Sequence, residues 1–272
     1  MFSMPMSIPP DILDVFMPWA IAIGLNSLLL GIAWFAPKKL LTPAGYVHAW
    51  ILGVILWGTL GWRGYVVMLF YFLVGSAVTK VGMADKEAAG IAEKRSGARG
   101  PENVWGSALT ATLCALGAYA VTTFYVTHAA SWVSQTVLLL YLGYVASMST
   151  KLSDTAASEV GKAYGKRTFL ITTLQPVARG TEGAVSLEGT LAGIVASVAI
   201  AIVAWGVQLI SPVGIGICVV AAFVATNLES VIGATLQTQF DWLTNELVNI
   251  LNTLIGAIVA IGLALLLQWL GV

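Results

Sequence analysis

Residues 151–189 read KLSDTAASEVGKAYGKRTFLITTLQPVARGTEGAVSLEG. This stretch holds four of the thirteen acidic and five of the thirteen basic residues of the chain. On both sides the sequence turns apolar, over 132–150 and 186–209. A run of about 20 apolar residues is what an α-helix needs to cross a bilayer. The stretch therefore reads as a polar segment between two membrane spans, and it sets the fold class: an all-α, polytopic transmembrane bundle built around a polar site.

The remaining composition agrees. Of the 272 residues, 58% are hydrophobic and 10% charged, with a mean hydropathy of +0.88; soluble domains carry about 25% charged residues. A soluble core cannot absorb this much apolar surface, so 1–272 is expected to be a single integral membrane domain. The formal net charge is zero, which by itself says nothing about nucleic acid or acidic partners; no nucleic-acid partner is expected. Cys114 and Cys218 lie singly in apolar runs, and no Cys/His spacing resembles a zinc site. His48 and His128 are isolated and suit structural or surface roles. Walker A, Gly-x-Ser-x-Gly and kinase-type Gly-rich loops are all absent from the sequence, which excludes a soluble-type nucleotide fold.

Eight spans are expected, over 13–36, 44–60, 63–80, 104–126, 132–150, 186–209, 212–236 and 248–271. Only Gly61-Trp62-Arg63 divides the second from the third. The first lacks the basic leader of a secretory signal and reads as a retained helix. Twelve of the thirteen Lys and Arg residues fall after spans 1, 3 and 5, and Arg63 alone falls on the other side. By the positive-inside rule the loops 81–103 and 151–185 face the cytosol or its topological equivalent. Intramembrane polarity gathers at the same ends. Asn227, Glu229, Ser230 and Gln237 close span 7, and Asn245, Asn249 and Asn252 open span 8 on one helix face. A transporter more often places such groups at the midplane, within inverted repeats.

Within 154–166, read as a helix entering from the membrane surface, Asp154, Ala157/Ser158, Gly161 and Gly165 share one face. Small residues in such a stripe suit close approach of a ligand, and equally ordinary helix–helix packing. Lys162, Lys166 and Arg167 follow. They suit either phosphate contact or anchoring on the positive side. A carboxylate for Mg²⁺, small residues and cations for phosphate oxygens are what phosphoryl transfer requires. Arg179-Gly180-Thr181-Glu182-Gly183 is a Gly-flanked turn that suits an anion or a simple connection. Glu188 is a second possible carboxylate there. In the other polar segment, Ser96-Gly97-Ala98-Arg99-Gly100 also suits phosphate. Glu229 is costly in lipid unless partnered, so it is expected to face the site.

The segment from Asp154 to Gly165 carries the pattern Asp-x-x-Ala-x-x-x-Gly-x-x-x-Gly. It resembles the membrane CTP-using enzymes: dolichol kinase, phytol kinase and CDP-diacylglycerol synthase. Thr181-Glu182-Gly183 is similar to their downstream Glu-Gly turn, with Arg179 where a Lys is usual. A closer resemblance covers almost the whole chain, through 93–100, the Asp154 motif, 180–186, 229–237 and 245–249. It is to the phytyl-phosphate kinase family of cyanobacteria and plastids, related to a long-uncharacterised transmembrane family. That resemblance implies transfer of the γ-phosphoryl group of CTP, or another nucleoside triphosphate, to a prenyl phosphate such as phytyl phosphate, in tocopherol metabolism. It implies Mg²⁺ held by Asp154, Glu182 and Glu229. The catalytic set would be Asp154, Lys166, Arg179 and Glu182. Nucleotide and phosphate contacts would fall to Lys94, Arg95, Arg99, Ser158, Gly161, Gly165, Asn245 and Asn249. A bacterial inner or thylakoid membrane is implied, and a homo-oligomer is compatible. Three alternatives stand beside this reading: a CTP-dependent cytidylyltransferase, a prenyl-alcohol kinase and a lipid transporter that binds without turnover.

Overall fold

The computed structural model describes residues 12–37, 39–93, 97–125, 131–237 and 239–271. Its elements are α1 (Ile12–Trp34), α2 (Pro43–Thr79), α3 (Met83–Ala88), α4 (Pro101–Tyr125), α5 (Ser131–Tyr164), β1 (Thr168–Leu170), β2 (Ala184–Ser186), α6 (Leu187–Gly206), α7 (Pro212–Thr235) and α8 (Asn245–Trp269). The expected helical membrane bundle is what the chain forms. The two short strands make one antiparallel hairpin, with Thr168 opposite Ser186 and Leu170 opposite Ala184.

Hydroxyl side chains start four of the long helices. Thr42, Ser186, Ser211 and Thr244 accept from the backbone N–H of Gly45, Gly189, Gly214 and Leu247. Each satisfies a donor that the first helical turn leaves free. Pro43 and Pro212 occupy first-turn positions, where proline removes no needed hydrogen bond.

Six helices among the described residues are long and apolar enough to cross a membrane: α1, α2, α4, α6, α7 and α8. The second of these is not one rod. Gly61 has φ 64° and ψ −160°, outside helical space, and the chain folds back there. Residues 42 and 71 would stand about 44 Å apart along a straight helix. Yet Thr42 N donates to Arg99 O at 3.0 Å, and Arg99 Nη1 donates to Tyr71 Oη at 2.6 Å. The rings of Trp57 and Tyr65 meet edge to face at 5.3 Å. The division expected at Gly61 therefore holds, and α2 supplies two crossings. At that turn Arg63 donates to Gln208 of the α6–α7 connection at 2.9 Å. Gly61 and the 207–211 connection thus lie at one end of the bundle, opposite the polar loops.

α5 completes the eight crossings and is the helix on which the others assemble. It packs against α2, α4, α6, α7 and α8, and every residue from Leu142 to Ala156 is buried. The expected boundary at 150 needs correction. The helix continues without a break to Tyr164, so Lys151 to Tyr164 is not a loop or a separate surface helix. Burial by the other helices, rather than hydropathy, sustains this polar extension. The apolar helices take the lipid-facing positions instead; α6, for example, exposes Leu187, Leu191, Val195 and Ile202.

Close helix contacts rest on missing side chains. A Cβ at Gly53 would lie 1.9 Å from Asn26 Oδ1, and one at Gly256 would lie 2.1 Å from Thr150 Oγ1. Asn26 is buried, donates to Ala22 O at 2.8 Å and accepts from Tyr65 Oη at 3.0 Å. Gly53→Ala is expected to cost about 1–3 kcal/mol through overpacking. Asn26→Ala should recover part of that loss in the double variant, because the two sites touch. Thermal unfolding in detergent measures both, and strictly additive losses would refute the contact.

Candidate functional site

The polar ends of the helices enclose a cavity of about 750 Å³, within the range of small-molecule sites. Its walls come from the end of α2, the 90–103 segment, α5, the 180–186 turn, and the adjoining parts of α6, α7 and α8. Among the described residues its lining includes seven acidic side chains but only three basic ones, Arg99, Lys151 and Lys162.

At the centre stands an ion pair within α5. Lys151 Nζ donates to Asp154 Oδ2 at 2.6 Å and, across to α8, to Asn249 Oδ1 at 2.6 Å. Both charged residues are buried. Their i,i+3 spacing places them on one helix face. Glu229 of α7 lines the same cavity as the pair. Glu182 approaches from the turn above α7. Gly183, at φ 74°, brings that turn onto α7, where a Cβ would fall 2.4 Å from Ala234 Cβ and 2.6 Å from Ser230 O. Only glycine meets both conditions.

A second buried pair lies one to two turns along α5. Lys86 of α3 bonds to Glu159 and donates to Thr79 O at 2.8 Å, at the end of α2. Lys162 bridges Glu159 at 3.6 Å and Glu93 at 3.7 Å. These ions strap the segment after α2 to the wall of the cavity. Arg99 closes the opposite side. Its guanidinium lies over the Tyr71 ring at 5.0 Å, and its backbone bonds to Leu40 and Thr42.

The residues singled out from sequence divide into three groups. Asp154, Ser158, Gly161, Glu182, Glu229, Arg99, Asn245 and Asn249 all line the cavity. Gly165, Lys166 and Arg179 do not. Lys166 is exposed. Arg179 donates to Ala163 O at 2.9 Å and so satisfies a free carbonyl near the end of α5. A Cβ on Gly165 would meet Gly161 O at 2.5 Å and Ser186 Oγ at 3.1 Å. The third group, Lys94 and Arg95, lies outside the described residues, as does His128.

The small-residue stripe serves helix packing as well as the cavity. A Cβ at Gly189 would meet Ala157 O at 2.5 Å, and one at Gly193 would meet Ser153 Oγ at 2.9 Å. The stripe lets α6 lie directly on α5. His48 has the ordinary role expected of it, accepting from Trp105 Nε1 at 2.8 Å.

From the sequence, Lys151 and Lys86 serve only as markers of sidedness, and Glu159 has no assigned role. Lys151 carried a legible signal, since it stands three residues before Asp154. For Lys86 and Glu159, 73 residues apart, no spacing rule applies. No cluster of three or more His, Cys, Asp or Glu side chains among the described residues forms a ready-made metal site. The carboxylates of Asp154, Glu182 and Glu229 share one wall without closing on one point.

Comparison with known proteins agrees with this architecture. Residues 26–257 match the integral membrane protein family DUF92. The chain belongs to that family. It is 66% identical to the uncharacterized membrane protein sll0875 of Synechocystis, over 90% of this chain and 91% of the relative. It is 44% identical to Protein VTE6, chloroplastic, of Arabidopsis thaliana, over 89% of this chain and 71% of the relative. An uncharacterized membrane protein of Methanocaldococcus jannaschii, MJ0933, is 30% identical over 82% of this chain and 86% of its own length. No solved structure matches. The motif-based likeness to the phytyl-phosphate kinases and their transmembrane relatives thus holds at the level of the family.

The buried Lys86–Glu159 pair supplies a stability test. Lys86→Met leaves a buried carboxylate with only the more distant Lys162, and is expected to cost about 3–5 kcal/mol. The double variant Lys86→Met/Glu159→Gln should regain at least half of that. Chemical or thermal unfolding in detergent reads the difference, and a double variant no better than the single would contradict the pairing.

Proposed function

We propose that this protein is a prenyl-phosphate kinase, transferring the γ-phosphoryl group of CTP or a related nucleoside triphosphate to a lipid monophosphate of the phytyl-phosphate type. The observation that carries the reading is the gathering of Asp154, Glu182 and Glu229 into one cavity at the polar end of a lipid-embedded bundle. Family membership and the 44% identity to Protein VTE6, chloroplastic, support it.

An acidic cavity suits polyphosphate only when cations arrive with it. Mg²⁺ commonly binds through one or two carboxylates, with substrate phosphate oxygens and water completing the shell. The open set of Asp154 and Glu229, with Glu182 nearby, fits that use. When bound, the metal would neutralise charge on the β- and γ-phosphates. Asp154 and Glu229 would hold it, Arg99 and Lys151 would bind phosphate oxygens, and Asn245 and Asn249 would position polar groups by hydrogen bonding. Lys151 must then exchange part of its contact with Asp154 for the phosphate.

The acceptor explains why no histidine base is needed. A phosphate monoester has its second pKa at about 6, so it is largely dianionic at neutral pH. One acceptor oxygen attacks the γ-phosphorus in line, a P–O bond forms, and the bond to the β-phosphate oxygen breaks. The products are a prenyl diphosphate and the nucleoside diphosphate. Positioning and charge stabilisation supply the catalysis. We place the cavity on the cytosolic or stromal side of a bacterial inner or thylakoid membrane. The distribution of basic residues supports that sidedness.

Proteoliposomes supplied with phytyl phosphate, Mg²⁺ and γ-labelled CTP are expected to form labelled phytyl diphosphate. Asp154→Ala should lower the rate by about 10²–10³-fold. Label in the lipid from α-labelled CTP, with pyrophosphate released, would instead identify a cytidylyltransferase. No lipid product from either label would overturn the enzyme reading.

A further inference from the structure

The cavity does more than open to water. Its lining extends down α6 through Thr190, Gly193 and Ile194, and down α7 through Asn227, Thr226 and Phe223. Phe223 lies twelve residues before the end of α7, about 18 Å along the helix. That depth exceeds half of a hydrocarbon core about 30 Å thick. Phe223 lines the cavity and is 45% exposed, as are Leu191 and Val195 of α6 and Val220 of α7 at 53%, 68% and 49%. Along both helices, residues of the inner chamber thus alternate with apolar side chains exposed on the surface of the bundle.

The chain path explains the gap. At the far end α6 and α7 are joined by residues 207–211 alone, and Ala201, Ala204, Cys218 and Ala221 pack there in the core. At the polar end β2 and the Gly183 turn stand between them. Gly183 is seated on Ser230 and Ala234, and Ser186 caps α6. The two helices are thus joined by a short connection below, and the hairpin strand β2 touches both of them above. Polar groups persist into this gap. Thr226 Oγ1 is buried without a hydrogen-bond partner, and Asn227 donates to Phe223 O of its own helix at 2.7 Å.

We propose that the cavity opens sideways into the bilayer between α6 and α7, and that this window holds the tail of a single-chain lipid phosphate whose headgroup lies in the cavity. The inference rests on the lipid-phosphate reading above and assigns the route its substrate takes. The occupant follows from the two ends of the space. A nucleotide has no use for a lipid-facing apolar slot and enters from the water. An amphiphile with one flexible chain fills the slot while its anionic head reaches Arg99 and Lys151. Ile194 of α6 and Phe223 of α7 both line this part of the cavity and are the residues that select the chain.

The test uses the full chain in proteoliposomes with phytyl phosphate carrying a photoreactive diazirine in mid-tail. Adducts are mapped after irradiation, with and without excess unlabelled phytyl phosphate. Competed adducts on residues 190–195 and 220–227 are expected. Competed adducts elsewhere would overturn the window; one such place is the α1–α2 groove of about 330 Å³ lined by Leu30, Trp34 and Trp50. Adducts that competition does not remove are annular lipid contacts and overturn it equally. Transfer of the γ-label is followed in the same vesicles. Window adducts without transfer keep the tail route and remove the kinase; transfer with adducts elsewhere does the reverse. Ile194→Trp should raise KM for the phytyl acceptor about ten-fold more than for a five-carbon prenyl phosphate. Phe223→Trp serves the same comparison if the first variant does not accumulate. Equal changes for both acceptors would contradict the assignment.

Discussion

The structure depends on keeping charge buried at the polar end of a helical bundle. Lys151, Asp154 and Glu159 lie on α5, and Lys86 reaches Glu159 from α3; all four are buried. Removing an ion from water costs several kcal/mol even after relaxation, so each charge needs a partner and satisfied hydrogen bonds. The partners come from across the bundle: Asn249 for Lys151, the Thr79 carbonyl for Lys86, and Lys162 for Glu159. The helices that pack around α5 also screen these groups from lipid. Segregation of polar and apolar helices follows, with the polar helix at the centre and the apolar helices against the membrane.

The same arrangement makes a site. A cavity whose described lining carries seven acidic and three basic side chains repels bare phosphate, and on the proposed reading phosphate enters it with a divalent cation. Lys151 occupies the position of a cation between Asp154 and Asn249, so the resting cavity is internally neutralised in part. The glycines of the stripe and turn bring α6, α7 and the 180–183 segment close enough for carboxylates from distant parts of the chain to share one wall. Packing and chemistry use the same small residues there, which is why spacing alone did not separate the two uses.

Much of this was legible in the sequence. Apolar runs located the crossings, and the break at Gly61 was marked by a Gly next to Trp62 and Arg63 at the end of an apolar run. Asp154, Glu182 and Glu229 were legible as polar groups at one end of the bundle, and the structure brings them to one cavity. The extension of α5 past residue 150 was not legible, because hydropathy ends where the charges begin and only surrounding helices sustain a polar helix there. The position of Arg179 was missed for a similar reason. A cation near a Gly-rich turn looks like an anion site until the free carbonyl of Ala163 is seen beside it. The Lys86–Glu159 pair joins residues far apart in the chain, and nothing local predicts such a contact.

The central claim is that Asp154 anchors a divalent cation jointly with nucleotide phosphate. Electron paramagnetic resonance of Mn²⁺ added to the reconstituted protein measures this without turnover. The account predicts weak Mn²⁺ binding alone, a marked increase on adding CTP, and loss of that increase in Asp154→Asn. Nucleotide-independent Mn²⁺ binding, or an equal increase in Asp154→Asn, would contradict it.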